Sequence, residues 1–159
     1  MKNATLLFLI KKSSGGVVDI CLAMKKRGFG KGRFNGVGGK VEEGEEIETA
    51  VRREAQEEVG VIVGDVVKCA ELSFTFPHEP SFDQLVHVYM TDNFEGEPVE
   101  TEEMNPSWLS TSNIPYGQMW PDDIFWLPHV LDGKKVQGRF VFGEGDVIQE
   151  KEVTVVETL

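Results

Sequence analysis

Two apolar runs open the chain. Residues 5–10 are apolar after Thr5, "VVDICLAM" follows at 17–24, and "KKSSGG" between them supplies turn residues. Two neighbouring strands, each buried on both faces, are expected there. From 45 to 59 the period changes: Ile47, Ala50, Val51, Ala55 and Val59 recur at helical spacing, and Gly60 stands where a helix C-terminus takes glycine. Alternating β-branched and aromatic residues at 61–76 and 82–94 predict further strands. The stretch "PDDIFWLPHVLDG" at 121–133 predicts a second helix, with Pro121 in its first turn and Pro128 kinking or shortening it. Residues 136–157 read as a hairpin closed by "GEGD". Pro77, Pro80, Pro98, Pro106 and Pro115 are expected in loops. Strands before and after each helix predict an α/β fold, a mixed sheet with helices on its faces, as one domain over 1–159.

Composition narrows what such a domain can do. A chain of 159 residues, 40% hydrophobic, suffices for one core. The net charge of -11 repels phosphate backbones, so a nucleic-acid polymer is not an expected partner, whereas a small anion accompanied by a cation is compatible. Residues 25–40, "KKRGFGKGRFNGVGGK", run against the overall balance: a basic, glycine-rich loop in an acidic chain is expected to meet an anion, the alternative being a solvated loop. Cys21 and Cys69 fit no metal or redox spacing and are expected as buried thiols in a reducing compartment. The first apolar run is too short for a signal core or a membrane span, so a cytoplasmic protein without membrane attachment is expected. His78, His87 and His129 are isolated in sequence, and His87 is expected to be packed or cross-strand paired rather than bound to a metal.

The segment "GGKVEEGEEIETAVRREAQEEVGV" at 38–61 carries eight glutamates. On a helix Glu54, Glu57 and Glu58 stand at i, i+3 and i+4 and share one face, opposite much of the apolar stripe. Like charges at that spacing destabilise a helix by only ~0.2–0.5 kcal/mol per pair, so repulsion alone decides nothing. The glycine-rich turn before the helix sharpens the case, because it lets backbone carbonyls approach the same point, and hard divalent cations take oxygen ligands of both kinds. Mg²⁺, with Mn²⁺ as a possible substitute, is the expected cofactor.

Gly39, Glu45, Arg53, Glu54, Ala55, Glu57, Glu58, Gly60 and Val61, at this spacing, resemble the box of the Nudix family of pyrophosphate hydrolases. Ala55 departs from the commoner larger aliphatic, yet it is apolar and on the packing face. The resemblance implies an α/β/α sandwich and a set of roles: Glu54, Glu57 and Glu58 hold the cations with the Gly38 carbonyl, Arg53 orients a carboxylate, and Glu45 is structural. Several glutamates compete for the role of general base, a carboxylate tied to Mg²⁺ being a poor one, and Glu54 is the first choice; the resemblance makes Glu103, in "VETEEM", an auxiliary metal-binding and catalytic glutamate from a distant loop.

The box names a reaction and not a substrate. "MKKRGFGKGRFNGVGGKV", "VHVYMTDNF", "PVETEEMNPSWL" and "MWPDDIFWLP" resemble, in order and spacing, the branch of that family that acts on oxidised purine nucleoside triphosphates. Phe34 and Val37 depart from that branch, which has tryptophan and phenylalanine there. The likeness implies a purine pocket of Asn35, Trp120, Asp122 and Asp123, with Thr5, Lys25, Phe29, Phe74 and Met104 around it. Trp120 offers a face for stacking and Asn35 both a donor and an acceptor. Two adjacent carboxyls in a partly dry pocket share a proton, giving one donor beside one acceptor. On the residues alone, "PDD" also reads as a helix start stabilised by two acids. The implied enzyme is a monomer that splits 8-oxo-dGTP or 2-hydroxy-dATP to the monophosphate and pyrophosphate. Another nucleotide, such as ADP-ribose, a dinucleoside polyphosphate or capped RNA, is the alternative substrate, and a non-catalytic nucleotide-binding module the alternative class.

Overall fold

The structure, a computed structural model, describes all 159 residues. Ten strands and two helices follow one another as β1 (Lys2–Ser13), β2 (Gly16–Lys25), β3 (Phe34–Asn35), α1 (Ile47–Val59), β4 (Ile62–Val63), β5 (Val67–Thr75), β6 (Gln84–Thr91), β7 (Phe94–Glu95), β8 (Met104–Ser110), α2 (Asp123–Leu131), β9 (Lys135–Gly143) and β10 (Val147–Val156). The main sheet runs β10-β9-β5-β6-β1-β2-β3, with β8 on β2, and β4 pairs with β7 apart from it. It is mixed: β1 lies parallel to β6 and β5 parallel to β9, while the other pairs are antiparallel. No helix is long and apolar enough to cross a membrane.

Period-two alternation along β1 explains why there are two cores. Ala4, Leu6, Phe8 and Ile10 join Leu72, Phe74, Phe140, Phe142 and the α2 residues Trp126, Leu127 and Val130. Leu7 and Leu9 point the other way, to Val51, Ala55 and Val59 of α1. The helices therefore cover opposite faces of one sheet, the layered arrangement the sequence predicts. Burying a side chain such as Phe8 stabilises the fold by about 1.5–3 kcal/mol, and truncating it to alanine would cost about 3–5 kcal/mol because a cavity is left as well.

Beyond Ile10, β1 and β2 pair as a hairpin, but towards the start of β1 they diverge and the segment 34–40 fills the gap. Its Phe34–Asn35 end pairs with Met24 and Ala23 of β2, while Val37 and Lys40 bridge to Leu7 and Ala4 of β1. The wedge is possible because its glycines lack a Cβ: one on Gly38 would collide with the Thr5 carbonyl.

Several boundaries differ from expectation. Residues 61–76 are two strands with different partners, β4 pairing with β7 and β5 with β6 and β9. The first helix starts at Ile47 rather than 45, because residues 42–45 close a turn through Glu45 N–H to Glu42 O at 3.0 Å. Pro106 lies in a strand and not in a loop: β8 pairs only with β2, so the missing N–H removes no ladder bond on its open side. Pro128 sits inside α2 and the helix ends three residues later, at Leu131. Cys21 and Cys69 are buried free thiols, as expected. His87 is buried across from Glu71, with Nδ1 3.0 Å from Lys68 Nζ and Nε2 3.0 Å from Asn3 Oδ1.

Candidate active site

A cavity of about 210 Å³ opens between the wedge, the first core and the start of α2. All nine residues expected around a purine line it: Thr5, Lys25, Phe29, Asn35, Phe74, Met104, Trp120, Asp122 and Asp123. They come from β1, β2, β3, β5, β8, α2 and the loops holding Phe29 and Trp120, and the sheet is what gathers them. Asn35 Oδ1 accepts the Gly36 N–H at 2.9 Å, which leaves the amide nitrogen as its free donor. Phe29 packs against Trp120 with ring centroids 5.0 Å apart.

Asp122 and Asp123 are each only 2% exposed. Asp122, at the N-cap of α2, makes no side-chain capping bond, so the helix-start alternative lacks the hydrogen bond that would carry it. Trp126, four residues on, donates its indole N–H to Asp122 Oδ2 at 2.7 Å, whereas Asp123 Oδ2 is buried with no partner. An unpartnered buried oxygen at a cavity wall is a vacancy for a ligand donor. Burial pushes the Asp122 carboxyl up to about 6, and burial reinforced by the Asp122 charge pushes Asp123 well above the carboxylate range. The pair is therefore set to hold one proton between two oxygen acids.

The acidic helix meets the cavity at its other end, where Gly38, Gly39 and Lys40 form the wall. Val37 exchanges both backbone bonds with Leu7, so Gly38, one residue out of phase, turns its polar groups away from β1. Its N–H reaches Glu58 Oε1 at 3.1 Å. A Cβ on Gly39 would lie 2.6 Å from Glu54 Oε1, so the glycine lets that carboxylate press against the wedge. Glu58 is only 2% exposed, and burial, together with its hydrogen bond to Glu54, pushes its carboxyl up to about 8.

The remaining acids are apportioned to cations of the chain itself. Arg53 holds Glu45 by two bonds, Nε to Oε2 at 2.8 Å and Nη2 to Oε1 at 2.9 Å, and also meets Glu54 at 2.9 Å and Glu57 at 3.3 Å. The strong Glu45 bond holds that carboxyl down to about 2. Glu57 is largely exposed and turned to Arg53, and Glu103 lies 3.3 Å from Arg27. Glu54 and Glu58 are brought together, then, but no three acidic or histidine side chains converge on one metal-sized point. The residues nevertheless fit a divalent cation: two hydrogen-bonded carboxyls, one of them buried, stand beside a glycine cradle, and hard oxygen donors are what such an ion takes.

Sequence reasoning missed several cavity residues. Phe76, Phe142, Gln84 and Trp126 line it, as does Arg33. Trp126 was detectable as the i+4 neighbour of Asp122; Arg33 was visible only as one of several loop cations. Its guanidinium lies 4.1 Å above the Trp120 ring and 2.8 Å from Asp146.

Comparison with known proteins agrees with this geometry. The family model described as "NUDIX domain" matches residues 2–130. An "Oxidized purine nucleoside triphosphate hydrolase" of Danio rerio is 47% identical over 140 residues, covering 88% of this chain and 89% of its own. The Mus musculus protein of that name is 46% identical over 129 residues, covering 81% and 82%. Among solved structures, a mutator MutT protein from Bacillus halodurans superposes with a TM-score of 0.82, covering 96% of this chain and 97% of its own; at 20% identity it speaks for the fold alone.

Proposed function

This chain belongs to the NUDIX family, and on that premise we propose that it is a Mg²⁺-dependent pyrophosphohydrolase of oxidised purine (deoxy)nucleoside triphosphates. The observation that carries the substrate class is the buried Asp122–Asp123 pair, with one unpartnered oxygen, inside an aromatic cavity. A protonated carboxyl beside an ionised one offers a donor and an acceptor that exchange places when the proton moves, which suits both 8-oxoguanine and 2-hydroxyadenine edges. Trp120 and Phe29 supply apolar faces for the ring, and Asn35 a further donor.

At the other end the glutamates handle the phosphates. Glu54 and Glu58 would hold the cation with the Gly38 carbonyl, and Glu57 and Glu103 join on release from Arg53 and Arg27. When bound, Mg²⁺, or Mn²⁺ in its place, neutralises phosphate charge and lowers the pKa of a coordinated water. Arg53 holds Glu54 in place by a bond of 2.9 Å, and Glu54 accepts the proton of the attacking water. Lys25 and Lys40, both on the cavity wall, attract the triphosphate and offset its charge. The products are a nucleoside monophosphate and pyrophosphate. As a single domain with a net charge of -11, the enzyme acts on free nucleotide rather than a polymer, as a cytoplasmic monomer in this reading.

A panel of kcat/KM values with 8-oxo-dGTP, 2-hydroxy-dATP, dGTP and ADP-ribose tests the assignment. Preference for the two oxidised purines is the expected result. Preference for ADP-ribose, or no discrimination against dGTP, would remove it.

A further inference from the structure

Arg33 belongs to neither the acidic helix nor the Asp122–Asp123 pair, yet it touches what lies around the pocket from three directions. It is on the cavity wall; its guanidinium stacks 4.1 Å from the Trp120 ring centroid; and its Nη1 is 2.8 Å from Asp146 Oδ2, both side chains being only partly exposed. Asp146 closes the β9–β10 turn, where Gly145 and Asp146 are both left-handed, at φ 72 and 59. A non-glycine residue in that region is uncommon, and aspartate is among the few that tolerate it. The strain is accepted where the carboxylate reaches across to the loop carrying Arg33, 113 residues away in sequence. That loop is itself pinned, Lys25 N–H to Arg33 O and Arg33 N–H to Gly30 O each measuring 3.1 Å.

We propose that Arg33 is a positioning residue for base recognition: clamped by Asp146, it fixes the Trp120 ring from one face and ties the C-terminal hairpin turn to the purine pocket. Cation–π stacking onto tryptophan is the strongest form of that contact, and a planar guanidinium can stack on a ring while its edge hydrogen bonds a carboxylate. One face of Trp120 is thereby taken, so a purine has the remaining exposed surface of the ring available. The inference rests on the purine-pocket reading above.

The position has an electrostatic side as well. The charged and titratable groups around the acid pair are Arg33, Tyr116 from the turn before α2, and, elsewhere on the cavity wall, Lys25 on β2 and Lys40 on the wedge. Arg33 acts to lower both carboxyls against the larger upward push of burial. Removing its charge should move the pair's titration upward.

Arg33→Gln, Arg33→Lys and Asp146→Ala test this in two ways. The indole N–H resonance of Trp120, assigned by its loss in Trp120→Phe, is followed in the free protein and so depends on no choice of substrate. It should shift and broaden in Arg33→Gln and Asp146→Ala and return towards its original position in Arg33→Lys; an unmoved resonance overturns the proposal. With 8-oxo-dGTP, Arg33→Gln should raise KM roughly tenfold while kcat stays within about twofold, the scale of one partly desolvated cation–π contact. The limb of the pH profile due to the acid pair should move to higher pH, and the lysine variant should restore it. A merely structural arginine would lower activity without moving that limb. Wild-type KM and limb in Arg33→Gln, with 8-oxo-dGTP still preferred by the wild type, overturn the proposal alone. Loss of that preference in the wild type overturns the substrate reading instead, and the Trp120 resonance then decides this one.

Discussion

The two ends of the cavity are built on opposite principles. At the purine end, nine residues from eight parts of the fold line the cavity, and the two acids are buried, Asp122 held by Trp126. At the phosphate end, Glu57 and Glu103 are exposed and satisfied by Arg53 and Arg27, while only Glu54 and Glu58 face each other. A pocket for a flat apolar ring can be completed by the protein's own packing. Neighbouring carboxylates repel one another and need cationic or hydrogen-bonding partners, which Arg53, Arg27 and the Gly38 N–H supply. The purine end is thus assembled largely from apolar packing, whereas the acidic end spreads its charges over Arg53 and Arg27.

The contrast is broken most severely at Glu58. Glu58→Gln should lower kcat by roughly three orders of magnitude, the scale of losing one preorganised group at a reacting centre. The metal-free variant should be no less stable than wild type, since an amide replaces a carboxyl that burial disfavours in its charged form. Mg²⁺ should raise the wild-type Tm and leave that of Glu58→Gln nearly unchanged. A variant stabilised by Mg²⁺ as much as wild type would exclude Glu58 as a ligand.

Asp123→Asn should act on the opposite end and spare the metal. A mismatched buried partner costs about 1–3 kcal/mol in kcat/KM for at least one oxidised purine, with discrimination against dGTP reduced and Mg²⁺ dependence as before. Stability provides a second check. The pair's folded-state pKa lies above that of the unfolded chain, so the fold holds extra protons; its stability then falls as pH rises from about 4 through about 6 for Asp122 and beyond for Asp123. The asparagine has no proton to lose at that position, so scanning calorimetry between pH 5 and pH 8 should find its Tm gaining on wild type as pH rises. A constant gap would mean that Asp123 is as ionised in the fold as in the unfolded chain.

Smaller effects sharpen the phosphate end. Glu103→Gln should lower kcat by about tenfold, short of the roughly 10²–10⁴-fold that a positioned acid–base group supplies. If it matches Glu58→Gln, Glu103 and not Glu54 is the base. Arg27→Gln, which frees Glu103 from an exposed ion pair worth less than about 1 kcal/mol, should change Tm hardly at all and kcat by less than about threefold.

How much of this was legible in the sequence follows the same division. Both helices, the long strands and the closing hairpin follow from periodicity, and the Nudix box from residue spacing. The β8 strand was hidden by Pro106, because edge position and not composition decides whether a proline is tolerated there. The glutamate spacing identified a shared helix face but not the partition of its charges, since Arg53 reaches back eight residues to Glu45 through a turn that helical geometry does not describe. Arg33 escaped for a related reason: its partner is 113 residues away, and no local pattern records a contact between a loop and a distant hairpin turn.

The glycine wedge has one more property, which is metric. Asn35 and Gly38 are three residues apart along the wedge, and an extended chain advances about 3.3 Å per residue, so they can stand at most roughly 10 Å apart. The wedge is therefore a gauge set into the sheet, with Asn35 on the cavity wall at one mark and Gly38, bonded to Glu58 of the acidic helix, at the other. Because its polar groups alternate sides, lengthening it by one residue would displace the second mark by about 3.3 Å and reverse its direction. The count of residues between Asn35 and Gly38 therefore couples the cavity wall to the acidic helix.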